Sequence, residues 1–328
     1  MEGFGINENF SIPCFEENKM MPMHRENTVK EIIKPMSLDE SIEMYKKVGH
    51  RNADFLFKWI NSVYDFFYLP SVDLKMKKTL MRDKTKLTIF DVLIDDLADN
   101  AEIRDREVLE EAIGIAWNGL KSTDNDYLKV TKKIWDDCIE SIKNYPRFEE
   151  FKDLFYFDLE KVMHSMKYSF LANDLGINNG HEDEINLAHG CMVILHADMD
   201  LMCSPTFDKK ELKKIRPILY WVEDIVHIGN LMNTYAREVE EADFSSPMIS
   251  LALDRGIVDK EIIINNPEEA IKKISILVPY FKERVENNFK KIEEVAKTIE
   301  SIDMEEFLKK LMKVWEGFNS RVQYWKTD

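Results

Sequence analysis

The sequence predicts an all-α chain, folded as a single-domain helical barrel or bundle. Three observations carry that prediction. From Ser37 onward, apolar residues recur at three- and four-residue spacing in nearly every stretch. No segment alternates apolar and polar residues between turn signals, as a half-buried strand would. Eleven Gly and 10 Pro among 328 residues are few for a loop-rich or all-β chain.

The elements follow in order. Residues 1–36 hold Pro13, Pro22 and Pro35 without a sustained period and read as an irregular N-terminal arm, able to close over a site. Residues 37–328 read as one helical domain. "SLDESIEMYKKV" opens it with Ser37 and Glu40 in capping-box spacing. The aromatic-rich "NADFLFKWINSVYDFFYL" follows and stops at Pro70. Helical spacing then covers 73–100, 105–121, 125–144 and 147–174, before "LGINNGHEDE" breaks it. A helix is expected over 184–203 and a short one from near Lys209. Pro217 stands where a helix-starting proline belongs, opening a helix that runs to about Ala242. After "FSSP", helices are expected over 249–256, 267–299 and 303–325.

With 45% hydrophobic residues the chain can build a full core. Its net charge of −16 repels nucleic acid and acidic membranes, so a phosphate-bearing ligand would need metal ions or a local basic cluster. Cys14, Cys138, Cys191 and Cys203 form no CxxC and no disulfide spacing, which suits a reducing compartment. No apolar run reaches the ~18 residues of a membrane span, and no signal peptide is readable. A soluble cytoplasmic protein is expected, with a homodimer left open.

Two polar columns interrupt this helical pattern. In "FDVLIDDLADN", Asp95, Asp96 and Asp99 form DDxxD, with Asp91 one turn earlier. Like charges at i and i+4 destabilise a helix unless a cation lies beside them. The second column is Asn230, Thr234 and Glu238, at about 0°, 40° and 80° around one helix. An amide, a hydroxyl and a carboxylate on one face suit a hard cation such as Mg²⁺. "WDDCIE", with Asp136, Asp137 and Glu140, is a near miss. His181, His189 and His196 lack zinc spacing.

In this order, the two motifs resemble the metal-binding pair of class I terpene synthases, in particular the bacterial and fungal single-domain type. Motif order, length, helical content and Phe10-x-x-Pro13 all fit. The resemblance implies that Asp95, Asp96 and Asp99 bind two Mg²⁺ ions and that Asn230, Thr234 and Glu238 bind a third. It also implies that Arg237 touches diphosphate. The expected activity is ionisation of an allylic prenyl diphosphate, C20 favoured and C15 open, followed by cyclisation or elimination. A carbocation needs a dry, aromatic cavity, for which Phe90 and Trp221 are candidate lining residues.

The sequence departs from the family twice. No arginine occurs between Arg147 and Arg216, where the family commonly has its pyrophosphate sensor, leaving His189, His196 or a lysine to substitute. The family's adjacent Arg-Tyr pair near the C-terminus is represented by the spaced Arg321 and Tyr324, which share a helix face at i, i+3. A chain-lengthening prenyl diphosphate synthase would carry a second aspartate-rich motif where this chain reads "VEDIVHIGN". A head-to-head prenyl coupling enzyme would likewise repeat the DxxxD spacing of Asp91, Asp95 and Asp99. A helical scaffold or binding protein with solvated polar columns is the non-enzymatic alternative.

Overall fold

The computed structural model describes residues 35–121 and 124–320, and all regular structure among them is helical. The arm expected over 1–36 lies almost wholly outside the described residues, as do Cys14, Arg321 and Tyr324. Fourteen α-helices succeed one another: α1 (Leu38–Tyr45), α2 (Ala53–Phe66), α3 (Lys77–Asp99), α4 (Arg106–Asn118), α5 (Asp126–Ile142), α6 (Phe148–Leu175), α7 (Gly180–Asn186), α8 (Val193–Met202), α9 (Leu212–Glu240), α10 (Pro247–Asp254), α11 (Lys260–Asn265), α12 (Pro267–Ile274), α13 (Val278–Ala296) and α14 (Met304–Ser320). None is long and apolar enough to cross a membrane.

Local chemistry explains many of the starts. Ser37 and Glu40 form the expected capping box, and the side chains of Asn52, Asp105, Asn125, Asn179, Asp259 and Asn266 accept bonds from first-turn amides. Pro217 does not start a helix. It lies inside α9, which begins at Leu212, directly after a 3₁₀ turn at Lys209–Glu211 that forms the short helix expected near Lys209. Packing of Ile215, Ile218 and Leu219 in the core offsets the one amide that proline removes.

The helix expected over 184–203 is two helices. Met192 turns the chain with φ 58°, and Glu223 of α9 accepts from the amides of Cys191 and Ile194, each at 2.9 Å. A buried glutamate from another helix thus caps α8, which has no cap of its own. Burial pushes the Glu223 carboxyl up to about 8, against those amide bonds. The span expected over 267–299 is also divided, by a 3₁₀ turn at Ser275–Leu277 between α12 and α13, and α11 is an addition to the expected set.

α3 is the central element. It packs against α1, α2, α4, α5, α6 and α8, while α9 packs against α8, α13 and α14. Buried ion pairs fix the rotation of α3. Lys86 pairs with Asp137 of α5, and Asp83 accepts from Ser141 and Tyr145 on that same side. On the other side Lys84 pairs with Asp200 of α8. Such pairs add little net stability, but stripping one partner typically costs ~3–5 kcal/mol, so they fix orientation. With α3 held this way, positions 84, 88, 91, 95 and 99 fall in one stripe roughly 80° wide.

Candidate active site

That stripe faces a cavity of about 870 Å³ bounded by α2, α3, α6, α8, α9 and α14. Asp91, Asp95, Asp96 and Asp99 line it from α3, and Asn230, Thr234, Arg237 and Glu238 line it from α9. The two columns, 135 residues apart in sequence (230 − 95), therefore share one cavity. Gly229 lets α14 pack close against α9, because a Cβ there would lie 2.5 Å from the Phe318 ring, which also lines the cavity.

Two expected lining residues are elsewhere. Phe90 is 0% exposed and packs on Trp135, its centroid 4.9 Å away. It points into the core because one residue of offset from Asp91 turns it about 100° around the helix. Trp221 lines a separate cleft of about 580 Å³ with Tyr220, Asp224 and Arg284. The near miss "WDDCIE" is structural. Asp136 pairs with Lys132, Asp137 with Lys86, and Glu140 with Lys143.

On the α3 side, the sequence reading missed Arg51. It lies in the turn between α1 and α2, where its Nη2 donates to Asp95 Oδ2 and its Nε to Asp96 Oδ1 at 2.6 Å. The Tyr45 hydroxyl donates to Asp96 Oδ2 at 3.0 Å. Asp96 is thus 3% exposed with both oxygens engaged by protein donors. The i, i+4 column of Asp91, Asp95 and Asp99 is differently placed. Asp99 accepts at Oδ1 from Ser169 of α6 at 2.7 Å, and Asp91 Oδ1 has no hydrogen-bond partner among the described residues.

On the α9 side, Thr234 donates to Glu238 Oε1, and Ser246 donates to Glu238 Oε2 at 2.6 Å. Arg237 is exposed and ion-paired with Glu241. Burial, and then the neighbouring Asp243, push the Glu238 carboxyl up to about 7. Burial and the charges of Asp95 and Asp243 hold Asp99 well above the usual carboxylate range.

These residues fit hard divalent cations. The donors are oxygens, one buried carboxylate oxygen is orphaned, and buried carboxylates crowd one another against neutral partners. Among the described residues, no three His, Cys, Asp or Glu side chains stand close enough to hold one ion. Mg²⁺ is usually held by one or two carboxylates, with substrate phosphates and water completing its octahedron, so this donor supply suits it.

The rest of the cavity has two characters. Phe55, Trp59, Phe67, Tyr68, Phe307 and Phe318 supply ring surface, and Phe67 stacks on Phe307 with centroids 5.5 Å apart. The cavity was expected to be dry and aromatic throughout. Its α3–α8 wall instead carries the Lys84–Asp200 ion pair, Thr88 bonded to Tyr64 at 2.9 Å, and His196 packed edge-on against Tyr64. The polar stripe of α3 simply continues below the aspartates. Burial and the Lys84 ammonium keep the His196 ring neutral, its pKa well below the ordinary value.

No protein-family model matches the chain. No curated protein matches its sequence. The fold does have solved counterparts. The linalool/nerolidol synthase of Streptomyces clavuligerus superposes with a TM-score of 0.56 over 86% of this chain and 92% of that one, at 12% identity. The same enzyme in complex with 2-fluorogeranyl diphosphate gives a TM-score of 0.55 over 86% and 96%, at 10% identity. The fold of this chain is that of a class I terpene synthase. The linalool/nerolidol synthase is one enzyme that the chain resembles in this way, by fold and not by sequence.

One consequence of the carboxylate crowding is measurable without substrate. The folded-state pKa of Glu238, about 7, lies above the ordinary 4.5. The stability this proton binding gives is present below pH ~4.5 and lost as pH rises through ~7, a change of roughly 3 kcal/mol. In EDTA, the melting temperature should fall across that window. Glu238→Gln should flatten the fall, and an equally steep fall in the variant would assign it to other groups.

Proposed function

We propose that this chain is a Mg²⁺-dependent class I terpene synthase. It ionises an allylic prenyl diphosphate, C20 favoured and C15 as the alternative, then cyclises it or eliminates a proton, with release of diphosphate. The observation that carries this reading is the shared cavity, with the Asp91/Asp95/Asp99 column and the Asn230/Thr234/Glu238 triad on the lining of an aromatic chamber. The diphosphate analogue bound to the enzyme of like fold supports the substrate class.

Asp91, Asp95 and Asp99 would hold ions on one side, Asp91 in place of the expected Asp96, whose two oxygens accept from Tyr45 and Arg51, and Asn230, Thr234 and Glu238 on the other. When bound, Mg²⁺ supplies Lewis acidity that neutralises charge developing on the departing diphosphate. Arg51 and Arg237 add guanidinium donors at the rim, and Arg51 takes the place of the sensor arginine that the sequence lacks. Trp59, Phe67 and Phe307 present ring faces to the cation left behind. Their apolar bulk keeps water from that part of the chamber.

Chain elongation is the weaker reading. In "VEDIVHIGN", Glu223 caps α8, while Asp224 is bonded by Arg284 at 2.8 Å and Asn288 at 2.6 Å in the separate cleft. Glu223 is engaged through both oxygens and Asp224 is held by an arginine, and neither lines the cavity that the α3 aspartates face. The test is incubation of purified protein with Mg²⁺ and geranyl, farnesyl or geranylgeranyl diphosphate, with the organic extract analysed by mass spectrometry. An EDTA-sensitive terpene from the C20 or C15 substrate is expected. Longer prenyl diphosphates formed on adding isopentenyl diphosphate would favour elongation. No turnover and no Mg²⁺-dependent pyrophosphate binding would leave the scaffold.

A further inference from the structure

Neither metal motif includes Asp243, yet the chain turns sharply to deliver it to the cavity. Just past the end of α9, Ala242 takes φ 52°, in the left-handed region that an alanine adopts only at a cost. The turn is a Schellman motif, with the Asp243 amide donating to the Glu238 carbonyl at 2.9 Å and the Ala242 amide to the Val239 carbonyl at 3.1 Å. It sets Asp243 directly beside the last residue of the triad.

From there α6 links it to the aspartate column. Ser169 and Asn173 are one turn apart on a single face of α6. Ser169 holds Asp99 at 2.7 Å, and Asn173 holds Asp243 Oδ1 at 3.0 Å. Ser245 gives Oδ1 two more bonds, from its amide at 3.0 Å and its hydroxyl at 2.6 Å. Every donor to Asp243 reaches Oδ1, and among the described residues none reaches Oδ2. The pattern repeats at Asp99, where only Oδ1 is engaged, and at Asp95, where only Oδ2 is.

Asp95, Asp99 and Asp243, which line one cavity, therefore each keep one oxygen without a protein donor among the described residues. Asp99 and Asp243 are fixed by neutral groups, and among the described residues no lysine or arginine is bonded to either. A separate sign of a missing partner is Asp91, 6% exposed on the same stripe, whose Oδ1 is unpaired.

We propose that Asp243 is a further divalent-cation ligand, its Oδ2 acting with Asp99 to join the aspartate column to the triad. The proposal rests on reading the cavity as a Mg²⁺ site. Asn173 and Ser245 orient the carboxylate, and the turn at Ala242 carries it there.

The test is Mn²⁺ binding to purified protein with inorganic pyrophosphate, read by the EPR signal of free Mn²⁺ and by the Mn²⁺-induced rise in melting temperature. Asp243→Asn keeps an acceptor for Asn173 and Ser245 and removes the charged ligand. Asp243→Ser, also at home in a turn, is the second variant, and Asp136→Asn is the control. Both Asp243 variants should bind Mn²⁺ roughly 10- to 100-fold more weakly than the native protein. In EDTA, Asp243→Asn should melt no lower than native, since a like charge has left the cluster. Native-like Mn²⁺ affinity and an undiminished Mn²⁺-induced rise would mark a purely structural turn and overturn the proposal. No Mn²⁺ binding by the native protein would overturn the reading of the cavity itself, and this ligand with it.

Discussion

Asp95→Ala and Asn230→Ala should each reduce turnover of the preferred prenyl diphosphate by roughly 10²- to 10³-fold. Both should leave the fold intact. Asp95 lies between Asp91 and Asp99 on the cavity stripe, so its removal relieves like-charge repulsion along α3. Arg51 retains its bond to Asp96 in that variant, which limits the stability loss. Asn230 is only half-buried on α9 and contributes little packing to lose. Single-turnover kinetics at saturating Mg²⁺, with melting curves as the control, measure both effects. Full activity in either variant would place ion binding elsewhere in the protein.

Arg51→Ala should have the next largest effect, divided between capture of diphosphate and stability. The side chain spans Asp95 and Asp96, and Asp96 is nearly inaccessible. Loss of a charge-assisted contact of this kind costs about 1.5–3 kcal/mol, or roughly ten- to a hundred-fold in pyrophosphate affinity if the guanidinium also grips the ligand. Arg51→Lys should recover only part of this, because an ammonium lacks the planar fork that reaches two carboxylates. Arg237→Ala makes the useful comparison. The one ion pair it makes among the described residues is exposed and worth ~0–1 kcal/mol, so its loss should weaken pyrophosphate binding without changing the melting temperature. If Arg51→Ala melts earlier but binds pyrophosphate as the native protein does, Arg51 is a structural clamp only.

The sequence disclosed the fold through local signals. The capping box at Ser37, the three- and four-residue apolar spacing and the scarcity of glycine and proline act within a few residues, and helices form on that scale. The two motif columns were legible for the same reason, since i, i+4 spacing fixes a face without knowledge of the neighbours. What failed depends on tertiary partners. Pro217 reads as a start signal until the packing of α9 is known. The break before α8 needs Glu223 from a helix more than 25 residues away.

The site residues that went unseen follow the same rule. Arg51 meets Asp95 across 44 residues, and Asn173 meets Asp243 across 70. No spacing in the sequence signals either contact. Phe90 and Trp221 show the converse limit. Closeness in sequence to a motif does not put an aromatic on the motif's face, because adjacent helical residues diverge by about 100°. The helical wheel of α3 would have separated Phe90 from the Asp91/Asp95/Asp99 stripe, and it would have placed Lys84 and Thr88 on that stripe below the cavity-facing aspartates.

The central claim is that the α3 column and the α9 triad hold divalent ions in one cavity around a diphosphate. Anomalous diffraction from crystals grown with Mn²⁺ and inorganic pyrophosphate tests it most directly. Peaks are predicted within about 2.0–2.3 Å of carboxylate oxygens of Asp95 or Asp99, and of oxygens of Asn230, Thr234 and Glu238, with pyrophosphate between the two groups. Peaks confined to Asp136, Asp137 and Glu140 on α5, or pyrophosphate bound in the cavity with no Mn²⁺ beside either column, would contradict it.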